Sequence, residues 1–119
     1  MLEETLDSSV IVRFNNRAIE RSMIKGVFDM VRKNIRFEGN VQGVGFRYRA
    51  YHAAVALGLT GWVSNEWDGS VLMEVQGQEK SIDKMIVMIQ QGTYITVEKM
   101  TVKNISVDSE ERSFRVKGY

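Results

Sequence analysis

The chain lacks cysteine entirely and contains a single histidine among its 119 residues. Without cysteine, disulfide bridges, thiolate metal sites and thiol nucleophiles are all excluded. No apolar run approaches the roughly 20 residues that a membrane-spanning helix requires. The first residues, MLEETLDSSVIVRFNNR, are acidic and then only briefly apolar, which makes a poor secretory signal. We therefore expect a cytoplasmic protein without a membrane partner.

An excess of charge is also lacking, because 16 basic and 15 acidic residues leave a net charge of +1. This near-balance gives no reason to expect nucleic acid, a membrane surface or an acidic polymer as partner. Any anion site must therefore be local. The length suits one hydrophobic core, and we expect a monomer.

Apolar residues in the first half of the chain change from the spacing of a strand to that of a helix. Ile35 and Phe37 alternate with charged residues across 31–38, which predicts a half-buried strand. Residues 39–45 form a glycine-rich connection, and Gly58 is suited to end the helix that follows. The predicted apolar stripe of that helix consists of Phe46, Ala50, Ala53, Ala54 and Leu57.

The second half repeats this alternation of strands and a helix. Residues 60–65 read as a strand, Asp68-Gly69 as a hairpin turn and residues 71–75 as the next strand. Ser81 is the predicted N-cap of a second helix that Gly92 stops. Its stripe is Ile82, Met85, Ile86 and Ile89, and strands follow over 97–107 and around Phe114 and Val116.

The resulting order, β-α-β-β-α-β with a fifth strand, predicts an α+β fold of the ferredoxin-like type. Such a fold is a sandwich of an antiparallel sheet, here of four to five strands, with two helices on one face. Residues 30–119 contain the whole pattern and are the predicted domain. Residues 1–29 are an N-terminal extension, with a strand in SVIVRF and a short helix from Arg17. We expect this extension to be dispensable.

The usual catalytic side chains are scarce. His52 falls in the middle of the first helix, where a surface or boundary position is the more common explanation than a general base. No cluster of histidine, aspartate and glutamate has the spacing of metal ligands. No serine has the surroundings of a nucleophile elbow. An enzyme built from this chain should need neither a metal nor a strong general acid.

The glycine-rich connection is the remaining candidate site. Gly43 and Gly45 allow consecutive backbone N–H groups to turn inward as an anion-binding nest. The connection opens into a helix N-terminus, which favours negative charge, and Arg47 adds a guanidinium fork suited to phosphate. The alternative is that these glycines only permit a sharp turn.

Asn65, at the end of the second strand, is a second polar candidate. Its side chain both donates and accepts hydrogen bonds, so it could hold a water molecule against an anion in the loop. The alternative is ordinary turn chemistry, because asparagine is common before Asp-Gly hairpins.

Two stretches together resemble the acylphosphatase family: GNVQGVGFR at 39–47 and LGLTGWVSNEWDGSV at 57–71. The resemblance runs from about Met30 to Tyr119. It implies hydrolysis of acyl phosphates to a carboxylate and inorganic phosphate, with no cofactor and no metal. The only partner it implies is this small-molecule substrate.

The resemblance also implies a role for each candidate residue. Backbone N–H groups of the loop and the side chain of Arg47 bind the phosphoryl group, and Asn65 orients the attacking water. The loop residues are Gln42, Gly43, Val44, Gly45 and Phe46. The leaving carboxylate has a pKa of about 4 to 5, so it departs without a general acid.

Two other functions stay open at this stage. VGFRYR has the glycine, aromatic and basic character of an RNA-recognition motif, although here it begins a helix instead of lying on a strand. The domain could also belong to a larger maturation or carbamoyl-phosphate-processing protein without free turnover. The chain contains no zinc-finger cysteines and no further domain, so we expect a free-standing enzyme, and the presence of both reaction residues argues against an inactive copy.

Overall fold

The computed structural model describes the backbone of residues 11–14 and 17–20 and the chain from residue 30 to residue 118. The chain divides into two compact units at residues 30 and 31. In the first unit, β1 (Ile11–Phe14) pairs antiparallel with β2 (Arg17–Glu20). The strand expected in SVIVRF is confirmed. The helix predicted from Arg17 is wrong for residues 17–20, which form β2, because pairing with β1 overrides the local helix propensity. Residues 21–29 of that predicted helix lie outside the described residues.

The second unit contains five strands and two helices. They are β3 (Met30–Asn40), α1 (Phe46–Leu57), β4 (Thr60–Asn65), β5 (Val71–Gln78), α2 (Glu79–Gln90), β6 (Thr96–Ile105) and β7 (Phe114–Lys117). This is the predicted β-α-β-β-α-β order with a fifth strand. The ferredoxin-like α+β fold is confirmed.

The five strands form one sheet in the order β6-β3-β5-β4-β7. β3 pairs antiparallel with β6, and β4 pairs antiparallel with β5 as a hairpin. The fifth strand differs from its neighbours because β7 runs parallel to β4, with Gly61 opposite Phe114. The segment 106–113 carries the chain from one edge of the sheet to the other, so no hairpin turn dictates the direction of β7.

The core lies between the sheet and the two helices. Inward residues of the strands, among them Ile35, Phe37 and Met73, are fully buried. The alanines of α1 let this helix lie close to α2, β4 and β7, and α2 packs on β5. The ring centroids of Phe37 and Phe46 are 4.8 Å apart, which fixes the start of α1 over β3. Both predicted stripes face this core, with Leu57 and Ile86 at its margin.

The helix ends agree with the sequence at α1 and differ at α2. Gly58 follows α1 with a φ of 68°, the left-handed conformation expected of a glycine stop. The predicted N-cap at Ser81 is wrong, because β5 passes directly into α2 at Gln78 and leaves Ser81 inside the helix. In the described part of the chain, no helix is long and apolar enough to cross a membrane.

The face of the sheet away from the helices carries a buried cluster of charged and polar groups. Arg32, whose side chain is 6% exposed, lies 3.0 Å from Glu74 and 2.7 Å from Glu111. The hydrogen bonds that Arg32 donates to Glu111, and then those that it donates to Glu74, raise the pKa of Arg32 above its ordinary value although burial opposes this. Gln76 and the backbone of Asp108 exchange two hydrogen bonds of 2.7 and 2.9 Å. These contacts fasten the segment 106–113 to the sheet.

Candidate active site

The glycine-rich loop spans residues 41–45 between β3 and α1. Val41 anchors it in the core at 1% exposure. Gly43 and Gly45 have φ angles of 72° and 84°, a conformation that side chains other than glycine adopt at a cost of about 1–2 kcal/mol. A Cβ at either position would meet nothing within 4 Å. The glycines are therefore needed for backbone conformation and leave the loop backbone open to a ligand.

The loop leads directly into the N-terminus of α1. Gly45 is the N-cap residue and provides no side-chain cap, and the first turn contains no acidic residue. The first N–H groups of a helix have no partner within the helix, and the helix dipole favours an anion there. The start of α1 is therefore suited to bind a negative group presented at the loop.

Arg47 is half-buried in the first turn of α1. Its Nη1 donates a 3.2 Å hydrogen bond to the carbonyl of Lys117, the last residue of β7. Because β7 is paired in parallel with β4, with Lys117 opposite Ser64, this contact holds the guanidinium beside the end of β4.

Asn65 is the last residue of β4 and is also half-buried. Gly118 lies against it, since a Cβ built on Gly118 would come within 3.1 Å of the Ser64 Oγ and 3.7 Å of the Asn65 carbonyl oxygen. Arg47 and Asn65 therefore both lie beside residues 117–118. Two residues that are 18 positions apart in the sequence are thus both placed next to the end of β7.

The side chain of Gln42 joins the loop to the β4–β5 hairpin. Its Nε2 donates hydrogen bonds of 2.7 Å to the carbonyl of Glu66 and 2.8 Å to that of Ser70. Glu66 directly follows Asn65, so this amide holds the glycine-rich loop against the strand end that bears Asn65. Only a backbone role is predicted for Gln42 from the sequence, and no local pattern of residues predicts this side-chain contact.

The hairpin turn that receives Gln42 is itself organised by Asp68. Its Oδ1 accepts hydrogen bonds from the Ser70 Oγ at 2.7 Å and the Ser70 N–H at 3.1 Å. These two hydrogen bonds, and to a smaller extent the ion pair with Arg36, lower the pKa of Asp68 below its ordinary value. The stability they contribute is present above the ordinary pKa of aspartate and is lost as the pH falls through the lowered value.

His52 lies apart from this cluster, exposed on α1, where its ring is 4.3 Å from that of Tyr48. Among residues 30–118, no group of three or more histidine, aspartate or glutamate side chains is arranged to hold a metal ion.

Comparison with known proteins identifies the family. A family model described as acylphosphatase matches residues 33–116. The chain belongs to the acylphosphatase family. The predicted family and the enzyme class that goes with it, acylphosphatase, are confirmed.

Bacterial acylphosphatases are among the similar proteins. That of Geobacillus kaustophilus is 44% identical over 88 residues, which cover 73% of this chain and 94% of the relative. That of Oceanobacillus iheyensis is 42% identical over 85 residues, covering 70% and 93%. The extension at residues 1–29 lies outside the region that the family model matches.

Solved structures agree in fold. The crystal structure of acylphosphatase from Bacillus subtilis has a TM-score of 0.68 and 28% identity, covering 74% of this chain and 99% of that chain. Full-length HypF, in a phosphate- and nucleotide-bound form, has a TM-score of 0.67 and 30% identity, with 75% of this chain matching only 12% of HypF. A domain of this kind therefore occurs both alone and within a longer chain.

Proposed function

We propose that the chain hydrolyses acyl phosphates at the cluster formed by the glycine-rich loop, Arg47 and Asn65. The observation that carries the proposal is that Arg47 and Asn65 both lie next to residues 117–118, while Gln42 fastens the loop to Glu66, the residue after Asn65. Family membership supports this general reaction. The substrate is a small molecule, and no cofactor takes part.

The phosphoryl group binds at the open end of α1. Backbone N–H groups from Gln42 to Phe46 surround its oxygens, and Arg47 donates to them with its guanidinium fork. The left-handed Gly43 and Gly45 and the uncapped helix start support this role. These donors are fixed before the substrate arrives, so the charge that develops in the transition state is stabilised without rearrangement of the protein.

Asn65 orients the attacking water across the phosphoryl group. The water oxygen forms a bond to phosphorus while the bond from phosphorus to the acyl oxygen breaks. The electron pair leaves with the carboxylate, and an oxygen of the bound phosphoryl group accepts the proton of the water. The carboxylate leaves without a proton at neutral pH, so no general acid is needed. Positioning of the water and stabilisation of the charge on the phosphoryl oxygens are then sufficient for catalysis.

The reaction is tested by following the loss of ultraviolet absorbance as benzoyl phosphate is hydrolysed. Turnover is expected without added metal and in the presence of a chelator, because the roles above belong to backbone and side-chain donors. Activity that the chelator abolishes would contradict the mechanism.

Replacement of Asn65 separates positioning of water from binding. In Asn65→Ala, we expect kcat to fall by about a hundredfold while KM stays close to that of the wild type, because the phosphoryl donors are retained. Asn104→Ala, an exposed asparagine on β6, is the matched control and should leave both constants unchanged. A rise in KM with unchanged kcat would show that Asn65 binds substrate and does not orient water.

The extension at residues 1–29 is proposed to be dispensable. A chain of residues 30–119 should fold and hydrolyse benzoyl phosphate with unchanged kcat/KM, since it contains all of the strands, helices and candidate residues of the second unit. Failure to fold, or loss of activity, would show that the extension contributes to this unit.

The expected monomeric state and cytoplasmic location stay predictions. Light scattering after size exclusion measures the first, and cell fractionation measures the second. RNA binding remains an alternative function. Binding that weakens steeply with salt, in a chain without phosphatase activity, would favour it.

A further inference from the structure

A groove of about 480 Å³ opens next to the glycine-rich loop, between α1 and the end of α2. Val44 and Gly45 line it, so the groove adjoins the loop that is proposed to bind the phosphoryl group. Its volume falls within the range of small-molecule pockets, which is about 300–1,000 Å³.

One wall of the groove is a single stripe of α1. Gly45, Tyr48, Arg49 and His52 lie three or four residues apart and therefore share one side of the helix. Tyr48 is 70% exposed, and its ring packs against that of His52 along this wall, with 4.3 Å between the ring centroids. An exposed aromatic ring thus stands one helical turn away from the loop.

The other wall is formed by Met88 and by residues 92–94 after α2. Asn40, at the end of β3, donates a 2.9 Å hydrogen bond to the carbonyl of Tyr94 and so fastens this wall to the start of the loop. Tyr94 is 73% exposed. Gly92 allows the close approach of Arg49, whose Nε would lie 2.8 Å from a Cβ at this position.

We infer that this groove receives the acyl group of the substrate and favours an aromatic acyl group over a small aliphatic one. The inference rests on the proposed function. A single oxygen atom joins the acyl carbon of an acyl phosphate to phosphorus. When the loop binds the phosphoryl group, the acyl group must therefore lie directly beside the edge of the loop. Gly45 lies at this edge of the loop, and the exposed aromatic side chains of Tyr48 and Tyr94 line the groove beyond it.

The kinetic test compares benzoyl phosphate with acetyl phosphate in the full chain. The measured quantity is the ratio of their kcat/KM values, in which effects on the shared phosphoryl site cancel. In the double variant Tyr48→Ala/Tyr94→Ala, the ratio should fall by about tenfold, because two aromatic contacts to the benzoyl ring are removed. Tyr51→Ala, a tyrosine of the same helix outside the groove lining, should leave the ratio unchanged. An unchanged ratio in the double variant would overturn the inference.

A binding measurement separates this inference from the proposed function. Phenacylphosphonate and acetonylphosphonate resemble the two substrates but cannot be hydrolysed at the phosphorus–carbon bond. Calorimetric titration of the wild type should show tighter binding of phenacylphosphonate, and the double variant should lose this preference. Equal affinities in the wild type would overturn the groove assignment even if acyl phosphates are hydrolysed. A preference without any hydrolysis would support the groove and refute the proposed reaction.

Discussion

Arg47→Ala is expected to lower kcat/KM for benzoyl phosphate by about a thousandfold or more, which corresponds to about 4 kcal/mol of transition-state stabilisation. Arg47 is proposed to donate to the oxygens on which negative charge is spread, and loss of such a donor affects the transition state more than the bound substrate. Both constants should change: KM rises because phosphate binding is lost, and kcat falls because charge stabilisation is lost.

Two further variants identify what the arginine contributes. Arg47→Lys keeps the charge but not the planar fork, so we expect partial recovery of kcat/KM. Arg115→Ala removes an exposed arginine of β7 and serves as the matched control. Full activity in Arg47→Ala would refute the proposed phosphoryl site.

Folding has to be checked in the same variant, because Arg47 also binds the carbonyl of Lys117. A hydrogen bond of this kind contributes about 1 kcal/mol to stability. A small decrease in the unfolding temperature is therefore expected, and it cannot account for a thousandfold loss of rate in a protein that remains folded.

The second large effect concerns stability. Arg32→Ala should lower the free energy of unfolding by about 3–5 kcal/mol, measured by urea denaturation at pH 7. The substitution leaves Glu74 and Glu111 without their shared cation, and their side chains are only 24% and 10% exposed. It also releases one of the contacts that fasten the segment 106–113 to the sheet.

A second arginine of β3 that also forms an ion pair gives the matched control. Arg36 and Asp68 also pair, but their side chains are 37% and 31% exposed. Arg36→Ala should therefore cost no more than about 1 kcal/mol. Equal losses in the two variants would show that burial does not set the strength of the Arg32 cluster.

Activity distinguishes this structural role from a catalytic one. Arg32 lies near the start of β3, and eight residues at about 3.3 Å each place it about 26 Å from the loop end of that strand. Folded Arg32→Ala should therefore retain the wild-type KM for benzoyl phosphate.

Much of the fold could be predicted because local patterns and tertiary packing agree. The sequence predicts a buried strand face at Ile35 and Phe37 and a buried alanine stripe on α1. In the structure, these two surfaces pack into the same core. β4 has the predicted bounds, residues 60–65. The start of α2 could not be predicted, because a serine is a good N-cap wherever it occurs and only the continuation of β5 determines that the helix begins before it.

Residue types at short spacing were enough to predict the order of the strands and helices in residues 30–119. The acylphosphatase family came from the resemblance of two stretches, which also made the loop, Arg47 and Asn65 the candidate site residues. Only the tertiary structure decided that β7 joins β4 in parallel and brings residues 117–118 beside Arg47 and Asn65. It also decided that Gln42 fastens the loop to the hairpin and that Tyr48 and Tyr94 line one groove. These contacts join residues 24 to 70 positions apart, and such pairings depend on how the sheet assembles, which no local pattern of side chains encodes.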